Sequence, residues 1–154
     1  MFKLSLLLAV FLYSISGFSS VCADAVGSCD FYQCLDQTFP CGDKGYALHF
    51  GHKFCTKSDT QLFNRMQTEQ GKQWVLDTMK CLQQALSERL DIEALSCQKI
   101  QDIGYQTHMN CYIQSGYCEL PGQDKKEIIK LLKFQLLKPK NIIQGIHLLQ
   151  ACKK

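Results

Sequence analysis

The residues best equipped for chemistry in this 154-residue chain are ten cysteines: Cys22, Cys29, Cys34, Cys41, Cys55, Cys81, Cys97, Cys111, Cys118 and Cys152. Two chemistries compete for them. Cys41, His49, His52 and Cys55 read as a zinc cluster on donor type alone. An even number of Cys in a short secreted chain reads instead as a disulfide framework. The compartment decides between the two, and the N-terminus indicates the compartment. Lys3 precedes an apolar run, Leu4 to Tyr13, and small residues follow at Ser14, Ser16, Gly17, Ser19 and Ser20. This is the pattern of a secretory signal peptide, too short to span a bilayer. Disulfides are therefore expected, with no metal and no cofactor.

Cysteine parity also bears on the cleavage site. A cut after Val21-Cys22-Ala23 fits the small-residue pattern but leaves nine Cys. A cut after Ser16, Gly17 or Ser19 keeps all ten, and an odd thiol in a secreted protein must pair between chains or stay reactive. The expected division is a signal peptide over 1–19 and one domain over 20–154. There is no second long apolar run, no KDEL-type signal and no hydrophobic tail, so a soluble, secreted product is expected.

Catalytic constellations are sparse. A small secreted phospholipase A2 needs a His-Asp pair on a helix beside Cys and a Gly-rich calcium loop. Here His52 is followed by Lys53 and His108 by Met109, and Gly42, Gly45 and Gly51 lack an array of ligating Asp. Asp91 and Glu93 sit close together without EF-hand spacing. No Ser/His/Asp set, phosphate loop or nucleotide fingerprint is present. The chain is not expected to be an enzyme.

The elements that position the cysteines are read as helices. Hydrophobic residues make up 46% of the chain and charged residues 20%, ordinary values for a folded domain. A short helix fits residues 29–37, followed by turns at Cys41-Gly42-Asp43-Lys44-Gly45 and a loop to Cys55. Ser58 or Asp59 is placed to cap a helix in which Trp74, Val75, Met79, Leu82 and Leu86 share one face with Cys81. A second long helix fits Asp91 to Ser115. Cys97, Gly104, Cys111 and Cys118 recur every seven residues, so they stay on one side. Beyond Pro121-Gly122, Asp124 is placed to cap a helix through Leu137, with Ile128, Leu131, Leu132 and Gln135 inward. Pro139 is read as its end. Asn141 would cap a last helix with Ile142, Ile146 and Leu149 in register. No hairpin signal appears, and the expected fold class is all-α, a compact disulfide-stapled helical domain with a Cys/Gly-rich N-terminal segment.

Charge is uneven along this chain. Residues 24–123 carry 8 Lys+Arg against 12 Asp+Glu, net −4, whereas 124–154 carry 8 Lys against 2 acids, net +6. Lys126, Lys130 and Lys133 follow i, i+4, i+7 spacing and form a stripe opposite Ile128, Leu131 and Leu132. That stripe is the candidate partner-binding surface, suited to heparan-type polysaccharide, anionic lipid or an acidic protein. Interleaved aromatics are missing beyond Phe134, so nucleic acid is not expected.

Three blocks of sequence resemble the stanniocalcins, secreted disulfide-rich helical hormones associated with calcium and phosphate balance. The first is Cys29-Asp-Phe-Tyr-Gln-Cys34-Leu35. The second is Gln70-Gly71-Lys72-Gln73-Trp74-Val75 running into Thr78-Met79-Lys80-Cys81-Leu82. The third is Cys97, Gln101, Cys111-Tyr112 and Cys118. The resemblance covers roughly residues 22–152. It implies the pairs Cys22–Cys34, Cys29–Cys55, Cys41–Cys97, Cys81–Cys111 and Cys118–Cys152, a choice that spacing does not make among the 945 pairings open to ten Cys. It also implies action by binding an extracellular protein, a receptor or a protease. Three features depart from the family. Longer members carry a further Cys that links two chains; without it a covalent dimer is not expected. Asn64, Asn110 and Asn141 lack the Ser or Thr of a glycosylation site. The stretch from Gly45 to Cys55 is longer than the family's matching loop. The alternative reading is a secreted defence or venom-like effector built on the same kind of scaffold.

Overall fold

The computed structural model describes residues 21–90, 96–133, 137 and 139–153. The expected signal peptide and its cleavage sites, Asp91, Glu93 and Gln135 lie outside them. Among the described residues there are six helices and no strand, so the chain is all-α.

α1 is Asp30–Thr38, and it buries Phe31, Tyr32 and Leu35. α2 spans 46–65 and is irregular. Tyr46–His52 and Ser58–Leu62 have wide π-type turns, while Lys53–Lys57 and Phe63–Arg65 have ordinary α turns. The expected loop up to Cys55 is thus helical from Tyr46. Ser58 and Asp59 lie inside α2 and cap nothing. α3, Glu69–Leu90, is the long central helix. Its start is fixed by Thr68, whose Oγ1 accepts from Gly71 N–H at 3.0 Å.

α4 is Cys97–Gln114. It begins six residues later than the periodicity suggested. Ser96 is extended and its side chain accepts from Lys99 N–H, which makes it the N-cap. α5 is Gly122–Leu132, with Pro121 before it. α6 is Pro139–Ala151. Pro139 therefore starts α6 rather than ending α5. Its missing N–H costs nothing in a first turn, where that donor has no helical partner anyway. Asn141 is inside α6.

α3 and α4 pack antiparallel. Trp74 meets Tyr112, Cys81 meets Cys111, and Arg89 meets Gln106, so rising numbers on one helix meet falling numbers on the other. Two apolar clusters share α3. Its C-terminal half gives Leu86 and Leu90 to a cluster with Phe31, Leu35, Tyr46, Ile100 and Ile103. Its N-terminal half gives Trp74 and Val75 to a cluster with Leu62, Met66, Tyr117, Leu120, Ile128 and Leu148. Met79 packs against both.

Candidate interaction surface

Five disulfides hold the site's elements in place. Cys22–Cys34 and Cys29–Cys55 tie the N-terminal segment to α1 and α1 to α2. Cys41–Cys97 fastens the turn after α1 to the start of α4. Cys81–Cys111 joins α3 to α4, and Cys118–Cys152 joins the turn before α5 to the end of α6. Their Cα atoms lie 5.0–5.9 Å apart, as a cystine requires. These are the five pairs the family resemblance implies. No cysteine is free. Cys41 and Cys55 join different partners, and His52 Nε2 lies 3.2 Å from Gln33 Nε2. Among the described residues no three His, Cys, Asp or Glu side chains gather as metal ligands.

Hydrogen bonds fix the helices that bear the lysine stripe. Asp124 is fully buried at the start of α5 and does not cap its own helix. Its Oδ1 accepts from Gln67 N–H at 2.7 Å and its Oδ2 from the Thr68 hydroxyl at 2.5 Å. The carboxylate thus closes the N-terminus of α3, where the helix dipole favours negative charge. Nothing local distinguishes this Asp from a self-capping one. Lys125 adds a second tie, donating to Cys118 C=O at 2.8 Å while its ammonium lies over the Tyr117 ring.

Lys126 and Lys130 on α5 and Lys133 just beyond its end are exposed, with Ile128 buried and Leu131 and Leu132 half-buried on the other side. Lys130 pairs with Glu127. On α6 the residues read as sharing a register are not the buried ones. Ile142, Ile143, Ile146 and Leu149 are 47–58% exposed, and Leu148 is the buried residue. Apolar residues on both sides of α6 made its inner face ambiguous. Cys152 and the Gln144 bond to Tyr105 C=O set its rotation instead. α6 therefore carries an exposed apolar strip.

The inner faces of α4, α5 and α6 border an open-mouthed cavity of about 220 Å³. His108 lines it from α4, Ile129 and Leu132 from α5, and Gly145, Leu148 and Leu149 from α6. His108 Nδ1 lies 2.6 Å from Gly104 C=O. A carbonyl only accepts, so Nδ1 carries the proton. Burial lowers the His108 pKa, which its backbone hydrogen bonds to Gly104 and Tyr105 partly oppose. The same desolvation pushes the Tyr112 phenol up to about 12. Neither His52 nor His108 has a carboxylate partner among the described residues.

The motif residues meet in space. Trp74 Nε1 donates to Tyr112 C=O at 3.2 Å, so the segment after Gln70-Gly71-Lys72 touches the Cys111-Tyr112 pair. The model of the Stanniocalcin family matches residues 19–154. The chain belongs to the stanniocalcin family. Stanniocalcin-2 of Macaca nemestrina and of Homo sapiens are each 26% identical to it over 84 residues. That match covers 54% of this chain and 28% of those relatives, so this stanniocalcin-family chain aligns with little more than a quarter of their length. Stanniocalcin-2 of Rattus norvegicus is 25% identical over the same share. No solved structure matches.

Proposed function

We propose that this stanniocalcin-family protein is a secreted regulator that acts by binding another extracellular protein, with calcium and phosphate balance as its physiological setting. The family match over residues 19–154 carries the reading. Two features support it. Five disulfides suit an oxidising compartment. No described helix is long and apolar enough to cross a membrane.

The contact surface is assigned to α5 and α6. Lys126, Lys130 and Lys133 supply long-range attraction to an acidic partner or an anionic polysaccharide. Ile142, Ile143 and Ile146 supply apolar area to bury once the surfaces meet. No residue there performs a reaction.

Affinity capture from extracellular fluid tests the reading, using the oxidised protein and its Lys126→Gln/Lys130→Gln/Lys133→Gln variant. The expected result is one specific protein retained by the oxidised protein, lost after reduction and weakened by the triple substitution and by salt. Retention unchanged by reduction and by the triple variant would overturn it. A heparin column run alongside separates the polysaccharide from the protein partner.

A further inference from the structure

We propose that the cavity between α4, α5 and α6 binds one small, uncharged, mainly apolar molecule through a single hydroxyl group donated to His108. This goes beyond the protein-binding reading and is independent of it.

The size sets the first limit. A cavity of about 150 Å³ takes one benzene ring. At about 220 Å³ this one takes a ring with a short alkyl chain. The chemistry of the walls sets the second. Tyr112, Tyr117, Ile128, Leu132 and Leu148 offer aromatic and aliphatic surface, the amides of Asn141 and Gln144 join them, and among the described residues no carboxylate, Lys or Arg lines the space. A charged ligand would be desolvated there without a counter-charge.

His108 sets the third limit. Its proton is on Nδ1, facing Gly104 C=O, so in the neutral ring Nε2 is an acceptor. No side chain among the described residues hydrogen-bonds to Nε2. The Phe50, Tyr105 and Tyr112 rings surround the imidazole at 5.7–6.1 Å between centroids. An acceptor held among aromatic rings at a cavity wall selects a hydroxyl over a carboxylate. A buried polar group without a partner lies beyond it. Thr78 Oγ1 is buried without a partner, and Thr78 lines a smaller cavity of about 70 Å³ that shares Phe50, His108, Tyr112 and Leu132 with the first.

Gly145 sets the fourth. It sits mid-helix in α6, where glycine is a poor choice. It lines the cavity, and a Cβ there would meet nothing within 4 Å. A larger side chain would occupy the space and favour the helix.

The probes are 4-butylphenol, butylbenzene and 4-butylbenzoate. Calorimetry and the fluorescence of Trp74, whose ring lies 5.7 Å from Tyr112 and 5.9 Å from Tyr117, read binding. Butylphenol should bind saturably with one site, about fivefold tighter than butylbenzene, the worth of one hydrogen bond. The benzoate should bind at least about tenfold more weakly than the phenol. His108→Phe should bring the phenol and benzene affinities within about twofold of each other. Gly145→Leu should fold and lose binding; Leu149→Trp, at the exposed rim, is a second blocking variant that leaves the core untouched. Absence of saturable phenol binding, binding unaffected by both blocking variants, an undiminished phenol preference in His108→Phe, or tighter binding of the benzoate would each overturn the proposal.

Discussion

The carboxylate of Asp124 occupies the space that a side chain at Gly71 would need: a Cβ there would lie 2.5 Å from Oδ2 and 2.7 Å from Cγ. The glycine of the Gln70-Gly71-Lys72 motif is thereby explained. It lets a buried anion from α5 reach the first turn of α3. Gly71→Ala should destabilise the protein by about 1–3 kcal/mol through overpacking. Asp124→Ala should cost a similar amount, about 1–3 kcal/mol, by leaving the Gln67 N–H and Thr68 hydroxyl without an acceptor. The double variant should lose less than the sum, because removing the carboxylate makes room for the methyl. Guanidinium unfolding with disulfides intact measures the cycle. Strict additivity would mean that the two groups do not compete for space.

Gln83 is fully buried in α3, yet both ends of its amide are used. Oε1 accepts from Gly27 N–H at 2.6 Å, and Nε2 donates to Ser28 C=O at 2.8 Å. Gly27 has a φ of +99°, so the turn it clamps is one that other residues strain to adopt. Gln83→Ala should lower stability by about 1–3 kcal/mol. It should also speed amide exchange at Gly27 far more than at α4 amides. Uniform acceleration would show that the effect is global.

Removing the Cys81–Cys111 bridge should reduce secreted yield more than removing Cys118–Cys152. Cys111 is buried between α3 and α4, whereas Cys152 is half-buried at the end of α6. A terminal helix frays at less expense than the central pair separates. Paired Cys→Ser variants compared by secreted yield decide the ranking, and equal losses would refute it.

Stability should fall as pH drops below the ordinary His value of about 6.5. Burial lowers the His108 pKa in the folded state, so between the folded and unfolded values the unfolded chain binds the extra proton. The penalty is absent above about pH 6.5 and complete once pH is below the folded pKa. Denaturation midpoints from pH 7.5 to 5.5 should therefore decline in the wild type and decline less in His108→Phe. Parallel curves would assign the pH dependence to other groups.

Much was already set by residue type and spacing. Ten Cys after an apolar N-terminal run pointed to a disulfide framework, and periods of three and four made the rest helical. The position of α1 and the inward face of α3 follow from local signals, since Phe31, Leu35, Trp74, Val75 and Leu86 each lie on the one apolar face their helix offers, whereas the starts of α3 and α4 do not. These are short-range properties, and a sequence displays them directly.

Tertiary packing decided what those signals left degenerate. α6 carries apolar residues all round, so only its contacts with α4 and its bridge to Cys118 could choose Leu148 over Ile142, Ile146 and Leu149 as the buried residue. Asp124 looked like a local cap because a carboxylate suits any helix start. Its acceptors are used by Gln67 and Thr68, more than fifty residues away in sequence and brought close only when α5 docks on α3. The same docking leaves the space beside His108. A cavity is a property of surfaces that fail to meet, and no single segment encodes it.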